Sequence, residues 1–209
     1  MAYNFVRASS QSISGNGPSI SVYPVTFSAW AYATNDTVAM TIMSWIQAAT
    51  NQGFRTLFAG QAVGDPIRGN LLTATNYLSQ TTVGFTINTW HHVCFVCSSS
   101  TSRIIYKDGG SSGTNTTDDT PTSLTRVLIG SNTGADLFDG YISDVAVWSV
   151  ALDTGEINSL AKGFSAKKIR PQSLEYYAPL VRNLYEYNSN TTLTNNNAAT
   201  VTTHNRIYL

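Results

Sequence analysis

Apolar residues in this chain recur at every second position in short runs, and clusters of Gly, Asn, Asp and Ser separate those runs. A period of two, broken every few residues by turn formers, describes strands of a sandwich or barrel rather than a helical bundle. The runs predict strands at Phe5–Ser14, Val25–Ala33, Met40–Ala48, Arg55–Ala59, Asn70–Ala74, Gly84–Ile87, His91–Ser98, Ser102–Lys107, Arg126–Ile129 and Phe138–Ser149. Lys107-Asp108-Gly109-Gly110 reads as a tight hairpin, because these residues tolerate positive φ. The length, 209 residues, suits one large all-β domain or two small ones. Ten strands with non-local pairing point to two stacked antiparallel sheets, an all-β sandwich.

One helix interrupts the pattern. Asp153 is a good N-cap, with Glu156 three residues on in a capping-box arrangement. Ile157, Leu160 and Ala161 share a face, and Gly163 can close the helix in the left-handed region. Beyond it the composition shifts. Lys162, Lys167, Lys168 and Arg170 concentrate four of the twelve basic residues; Pro171 and Pro179 follow, and residues 188–205 are rich in Asn and Thr. The chain therefore divides into a main domain, residues 1–163, and an extension, 164–209, that packs back or contacts a partner. Its end, Ile207-Tyr208-Leu209, is expected to be ordered by pairing with a sheet edge or by docking on a neighbouring subunit.

Twelve basic and twelve acidic residues cancel, so the chain lacks the electrostatic footprint of a general nucleic-acid binder. Only 11% of residues are charged; 23 Ser, 27 Thr and 17 Asn supply the polar surface instead. No apolar run reaches membrane-spanning length. The first residues, Met1 to Arg7, show no secretory leader, so the expected place of synthesis is a reducing cytoplasm. Cys94 and Cys97 sit three apart on one strand and face opposite ways; they read as buried free thiols or, alternatively, as a metal half-site with no second half.

From Trp90 to Leu160 the chain resembles the laminin-G-like members of the concanavalin A-like lectin/glucanase superfamily. The residues that carry the resemblance are Trp90-His91-His92-Val93, Ile104 to the Asp108-Gly109 turn, Leu128-Ile129-Gly130, and the run Phe138 to Trp148 followed by Ala151-Leu152-Asp153 and Glu156 to Leu160. Phe5, Ser9 to Ser14 and Phe27-Ser28-Ala29-Trp30 resemble the opening strands. The resemblance implies a two-sheet antiparallel jelly roll with one short helix. The family usually has two acids before the valine at 145; here they are Ser143 and Asp144. A narrower resemblance, over Gly163 to Leu174, Tyr176 to Asn183 and Val201 to Tyr208, is to laminin-G-like proteins of tailed bacteriophages, and it implies a virion protein.

The chemistry points away from catalysis. The three glutamates, Glu156, Glu175 and Glu186, all follow the lectin-like strands, and no strand carries the paired carboxylates that glycoside hydrolysis needs. Gly109-Gly110-Ser111-Ser112-Gly113 matches a nucleophile elbow in letters only, since no helix signal follows it. His91 and His92 point to opposite faces and cannot share a metal, and His204 lies in the tail. Sugar binding needs exposed rings beside planar polar groups. Tyr77 with Asn76 is the first candidate, Trp45 with Gln47 the second, each competing with burial in the core; Asn132 and Asp136 are loop candidates for the same ligand. Calcium is a possible cofactor, with Asp65, Asp136 and Asp139 as candidate ligands, against the alternative of ordinary turn chemistry.

The expectation is a non-enzymatic structural or binding protein on a tailed-phage particle, as head decoration or tail appendage. Its expected partners are other virion proteins, copies of itself and a cell-surface glycan, with no nucleic acid and no membrane. The alternative is a lectin module, free-standing or part of an adhesin.

Overall fold

The structure, a computed structural model, describes residues 1–189 and 191–203. In chain order the strands are β1 (Ala2–Phe5), β2 (Ser12–Asn16), β3 (Val25–Ala33), β4 (Ala39–Ile46), β5 (Gly53–Ala59), β6 (Ile67–Leu72), β7 (Asn76–Gln80), β8 (Trp90–Ser99) and β9 (Ser102–Lys107). They continue as β10 (Ser111–Asn115), β11 (Arg126–Ile129), β12 (Gly140–Trp148), β13 (Leu174–Ala178), β14 (Tyr185–Glu186), β15 (Thr191–Thr192), β16 (Thr194–Asn196) and β17 (Thr200–Thr202), with the helix α1 (Thr154–Ala161) after β12.

Two antiparallel sheets form the sandwich expected from the sequence. One has the order β10-β9-β8-β3-β12-β1-β17, with β13 also paired to β12; the other is β16-β2-β11-β4-β5-β6-β7. The inward residues of facing strands make the core: Phe27, Phe95 and Val147 from the first sheet meet Trp45, Phe54 and Phe58 from the second. Phe27 is the hub, with ring centroids 5.4 Å from Phe54 and 6.1 Å from both Trp45 and Phe95.

Alternation along β12 feeds two clusters. Val145 and Val147 face the sandwich interior, whereas Ala146 and Trp148 face outward, where α1 covers them with Ile157 and Leu160. The α1 cap forms as the spacing predicts: Asp153 accepts from the Glu156 N–H at 2.9 Å, and Glu156 accepts from the Asp153 N–H at 2.8 Å. Cys94 and Cys97 are buried free thiols on opposite faces of β8.

Several expectations need correction. The run Phe5–Ser14 is two strands in different sheets, because a 3-10 turn at Arg7–Ser9 and a left-handed Ser10 (φ 51°) carry the chain across. Gly84–Ile87 forms no strand; its apolar residues serve a loop, with Phe85 stacked on Phe58 at 4.4 Å. Strands β7 and β10 were not expected from the sequence.

After α1, β13 extends the edge of β12 beyond β1, and β16 and β17 extend the edges of the two sheets by pairing with β2 and β1. The terminal Ile207-Tyr208-Leu209 and His204 lie outside the described residues.

Candidate functional site

The residues singled out from sequence fall in three places. Tyr77 and Asn76 lie on the edge strand β7, with Tyr77 packed partly against the core and Asn76 exposed. Asn132 and Asp136 share the loop after β11. Asp65 sits in the β5–β6 connection at φ 48°, its carbonyl accepting the Phe85 N–H at 2.9 Å. The structure therefore brings Asn132 and Asp136 together and leaves Tyr77, Asn76 and Asp65 elsewhere.

The Asn132–Asp136 loop lies against the outward face of the second sheet. Register sets Arg55 beside Ser44 and Asn70 on this face, while their neighbours Trp45, Phe54 and Leu71 point inward. Arg55 Nη1 meets the Asp136 carboxylate at 2.5 Å, and Ser44 Oγ donates to the Ser131 carbonyl at 3.1 Å. Asp136 is thus neutralised by an internal guanidinium. The carboxylate of Asp139 accepts the Arg7 N–H at 3.3 Å. Among the described residues no three His, Cys, Asp or Glu side chains are grouped to hold a metal ion. Asp65, Asp136 and Asp139 as placed do not present a shared set of oxygens for calcium, and Arg55 opposes a cation beside Asp136.

His91 and His92 are structural. The Thr86 N–H donates to His91 Nε2 at 3.0 Å, so Nδ1 carries the proton and donates to Asp108 at 2.8 Å. Burial pushes Asp108 up, but the hydrogen bonds from His91 and the His92 N–H, with Lys107 nearby, outweigh it and hold the carboxyl below its ordinary value. His92, fully buried against Trp30, is pushed down to about 4 by burial.

A site that sequence reasoning missed lies in the extension. A cavity of about 410 Å³ opens between the 3-10 turn Ala166–Lys168, β13 and β14. Tyr177, Tyr185 and Tyr187 line it, with Lys167, Asn183 and Ser165 as its polar groups. Tyr187 stands 6.0 Å from Tyr185, edge to face, and 5.8 Å from Tyr177. Lys167 Nζ lies 3.2 Å from the Tyr187 ring centroid. Tyr187 is 48% exposed, so part of it stays open to solvent, as does the exposed Asn183.

Two buried carboxylates brace the cavity from behind. The Tyr177 hydroxyl donates to Asp144 at 2.6 Å, and Ser165 Oγ lies 3.4 Å from the same hydroxyl. Asp144 sits at the β12 bulge with φ 53°, and burial raises its pKa to about 6. Burial and the neighbouring Asp144 push the Tyr177 phenol well up. Glu186 accepts N–H bonds from Tyr177, Asn188 and Ser189, which stitches the β14 segment to β13. Among the described residues no Asp or Glu lines the cavity, so it offers rings, an ammonium and an amide, but no carboxylate pair. The sequence did carry a signal: four of the eleven tyrosines fall within residues 176–187.

The two antiparallel sheets and their crossovers define a lectin-type β-sandwich. Residues 7–158 match the family model described as the Concanavalin A-like lectin/glucanases superfamily, and the chain belongs to that family. No curated protein gives a significant sequence match. Among solved structures, the chain is similar to the native heptameric SAP-like pentraxin of Limulus polyphemus, at 17% identity and TM-score 0.69, covering 95% of this chain and 93% of that one. It is also similar to a Bacteroides ovatus protein assigned as carbohydrate-binding, at 18% identity and TM-score 0.71, covering 99% of this chain and 61% of the other. Domain 4 of AbnA, a GH43 extracellular arabinanase from Geobacillus stearothermophilus, in complex with arabinotriose, aligns at 19% identity and TM-score 0.57, covering 70% and 69%. The family match ends before the tyrosine-lined cavity begins.

Proposed function

We propose that this chain is a non-enzymatic glycan-binding module displayed on a tailed-phage particle. The observation that carries the binding reading is the cavity in which an exposed Tyr187 ring stands beside Asn183 and Lys167. A pyranose ring presents an apolar C–H face and an edge of hydroxyls, which match an aromatic face and planar hydrogen-bonding groups respectively. Likeness in fold to the Bacteroides protein assigned as carbohydrate-binding and to the arabinanase domain with its bound arabinotriose supports the same reading. The absence of a carboxylate among the described residues of the cavity lining supports binding without hydrolysis. The particle setting rests on the resemblance of residues 163–183 to phage proteins.

A glycan array probed with the full chain and with Tyr187→Ala tests the binding reading. Array signals that the variant loses support it; signals that the variant keeps move the site elsewhere, and no signal at all overturns it. Reducing-end assays on β-glucans and galactans are expected to show no release. Mass spectrometry of purified particles tests the setting, and a particle without this chain overturns it.

A further inference from the structure

We propose that the tyrosine-lined cavity selects acidic sugars, with Lys167 as the group that reads the ligand's carboxylate. The inference rests on the glycan-binding reading and narrows it to a ligand class.

The argument begins with Lys167 and its surroundings. Three of the eleven described Lys and Arg side chains have carboxylate partners: Arg55 with Asp136, Lys107 with Asp108, and Arg170 with Asp153 and Glu156. Lys167 has none among the described residues; its ammonium lies on the faces of Tyr187 and Tyr177, at 3.2 and 5.7 Å from their centroids. The nearby acids are already engaged away from the cavity. Asp144 accepts from the Tyr177 hydroxyl, and Glu186 accepts three backbone N–H groups. Among the described residues the cavity wall therefore carries one positive charge and no negative one.

Ring faces attract a cation, but they leave its countercharge unmatched. Lys167 is exposed, so its ammonium is open to an anion arriving from solvent, and the pairing is screened by salt. The position of Lys167 is set by the fold, because the preceding Ala166 is buried against the cluster that contains Trp148. A ligand with one carboxylate on a pyranose ring meets these features together. The carboxylate pairs with Lys167 Nζ, the Asn183 amide takes a hydroxyl, and the C–H face packs on the exposed part of Tyr187. A single ammonium matches a single carboxylate, as in a uronic or a sialic acid.

The test measures binding of oligogalacturonate, a hyaluronan oligosaccharide and sialyllactose, each beside its carboxyl-reduced counterpart, to the full chain by calorimetry. The expected result is at least one acidic probe bound about tenfold or more tighter than its reduced form, as one charge-assisted contact provides. That preference should weaken from roughly 50 to 500 mM salt. Lys167→Met is expected to abolish the preference, and Lys167→Arg to retain part of it, with melting temperatures unchanged in both. Equal binding of acidic and reduced probes, or a preference that survives Lys167→Met, overturns the inference. Neutral glycans bound in a Tyr187-dependent way without acid preference overturn it and leave the glycan-binding reading standing. Absence of binding to either kind overturns both.

Discussion

The Tyr177 hydroxyl donates a 2.6 Å hydrogen bond to Asp144, tying the cavity in the extension to the bulge in β12. One residue thus has two roles: its ring lines the cavity, and its hydroxyl satisfies a carboxyl buried among strands. Tyr177→Phe separates them. Loss of a hydrogen bond to a buried polar group costs about 1–3 kcal/mol. The variant is expected to lose that much stability in urea unfolding while keeping its glycan affinity. Unchanged stability would show that Asp144 does not depend on this contact.

Two buried titrations oppose each other. Asp144 is raised from 3.8 to about 6, so the folded state holds its proton more tightly; its contribution to stability is full below pH 4 and is lost as pH rises through 6. His92 is lowered from 6.5 to about 4, so its contribution is full above pH 6.5 and is lost as pH falls through 4. Each shift corresponds to roughly 3 kcal/mol, and the two nearly cancel between pH 4 and 6. The wild type should therefore show a flat stability profile in that window. Asp144→Asn leaves His92 alone, and its stability should rise with pH across the same range. Chemical denaturation at a series of pH values checks this, and parallel profiles for the two proteins would contradict it.

Trp148 is wholly buried between β12 and α1, and its Nε1 donates to the Ile169 carbonyl at 2.8 Å. Trp148→Ala removes both the packing and the hydrogen bond, at a cost of about 3–5 kcal/mol. A fall of many degrees in melting temperature is expected. A variant that melts with the wild type would mean that α1 does not dock on this strand.

Legibility in the sequence followed the strength of apolar patterning. Ser102–Lys107 and Arg126–Ile129 were read to the residue, because each is a short apolar run bounded by turn formers. Ser111–Asn115 carries no apolar side chain, so β10 exists only by pairing with β9. The edge strands β16 and β17 are mostly Thr and Asn and obey the same limit. Gly84–Ile87 shows the reverse error, in which Phe85 is apolar for packing on Phe58 rather than for strand pairing. Of the candidate site residues, Asn132 and Asp136 share a loop as their spacing allowed. Tyr187, Asn183 and Lys167 meet only in space, through the turn at 166–168 and the Glu186 contacts. The criterion of an exposed ring beside a planar amide was sound, but sequence alone applied it to Tyr77 and Asn76 because it could not show which rings stay exposed.

The last prediction concerns the tail as part of the sandwich. Strands β16 and β17 pair with β2 and β1, and Leu193 and Ala199 lie in the main core cluster. The Gln11 amide donates to the Ala198 carbonyl at 3.1 Å, and its Oε1 accepts the Val6 N–H at 2.8 Å, so the tail also braces the turn between β1 and β2. Truncation after Asn183 removes these strands and uncovers Ile13 and Tyr3, whose burial currently relies on them. It also removes Tyr185 and Tyr187 and opens the cavity. Burial of apolar side chains contributes about 1.5–3 kcal/mol each, so the shortened protein is expected to melt well below the full chain or to aggregate, and to lose glycan binding. The measurements are circular dichroism melting and light scattering on both proteins. A truncated chain with the same melting temperature and the same mass in solution would show that the two sheets stand without their outer strands.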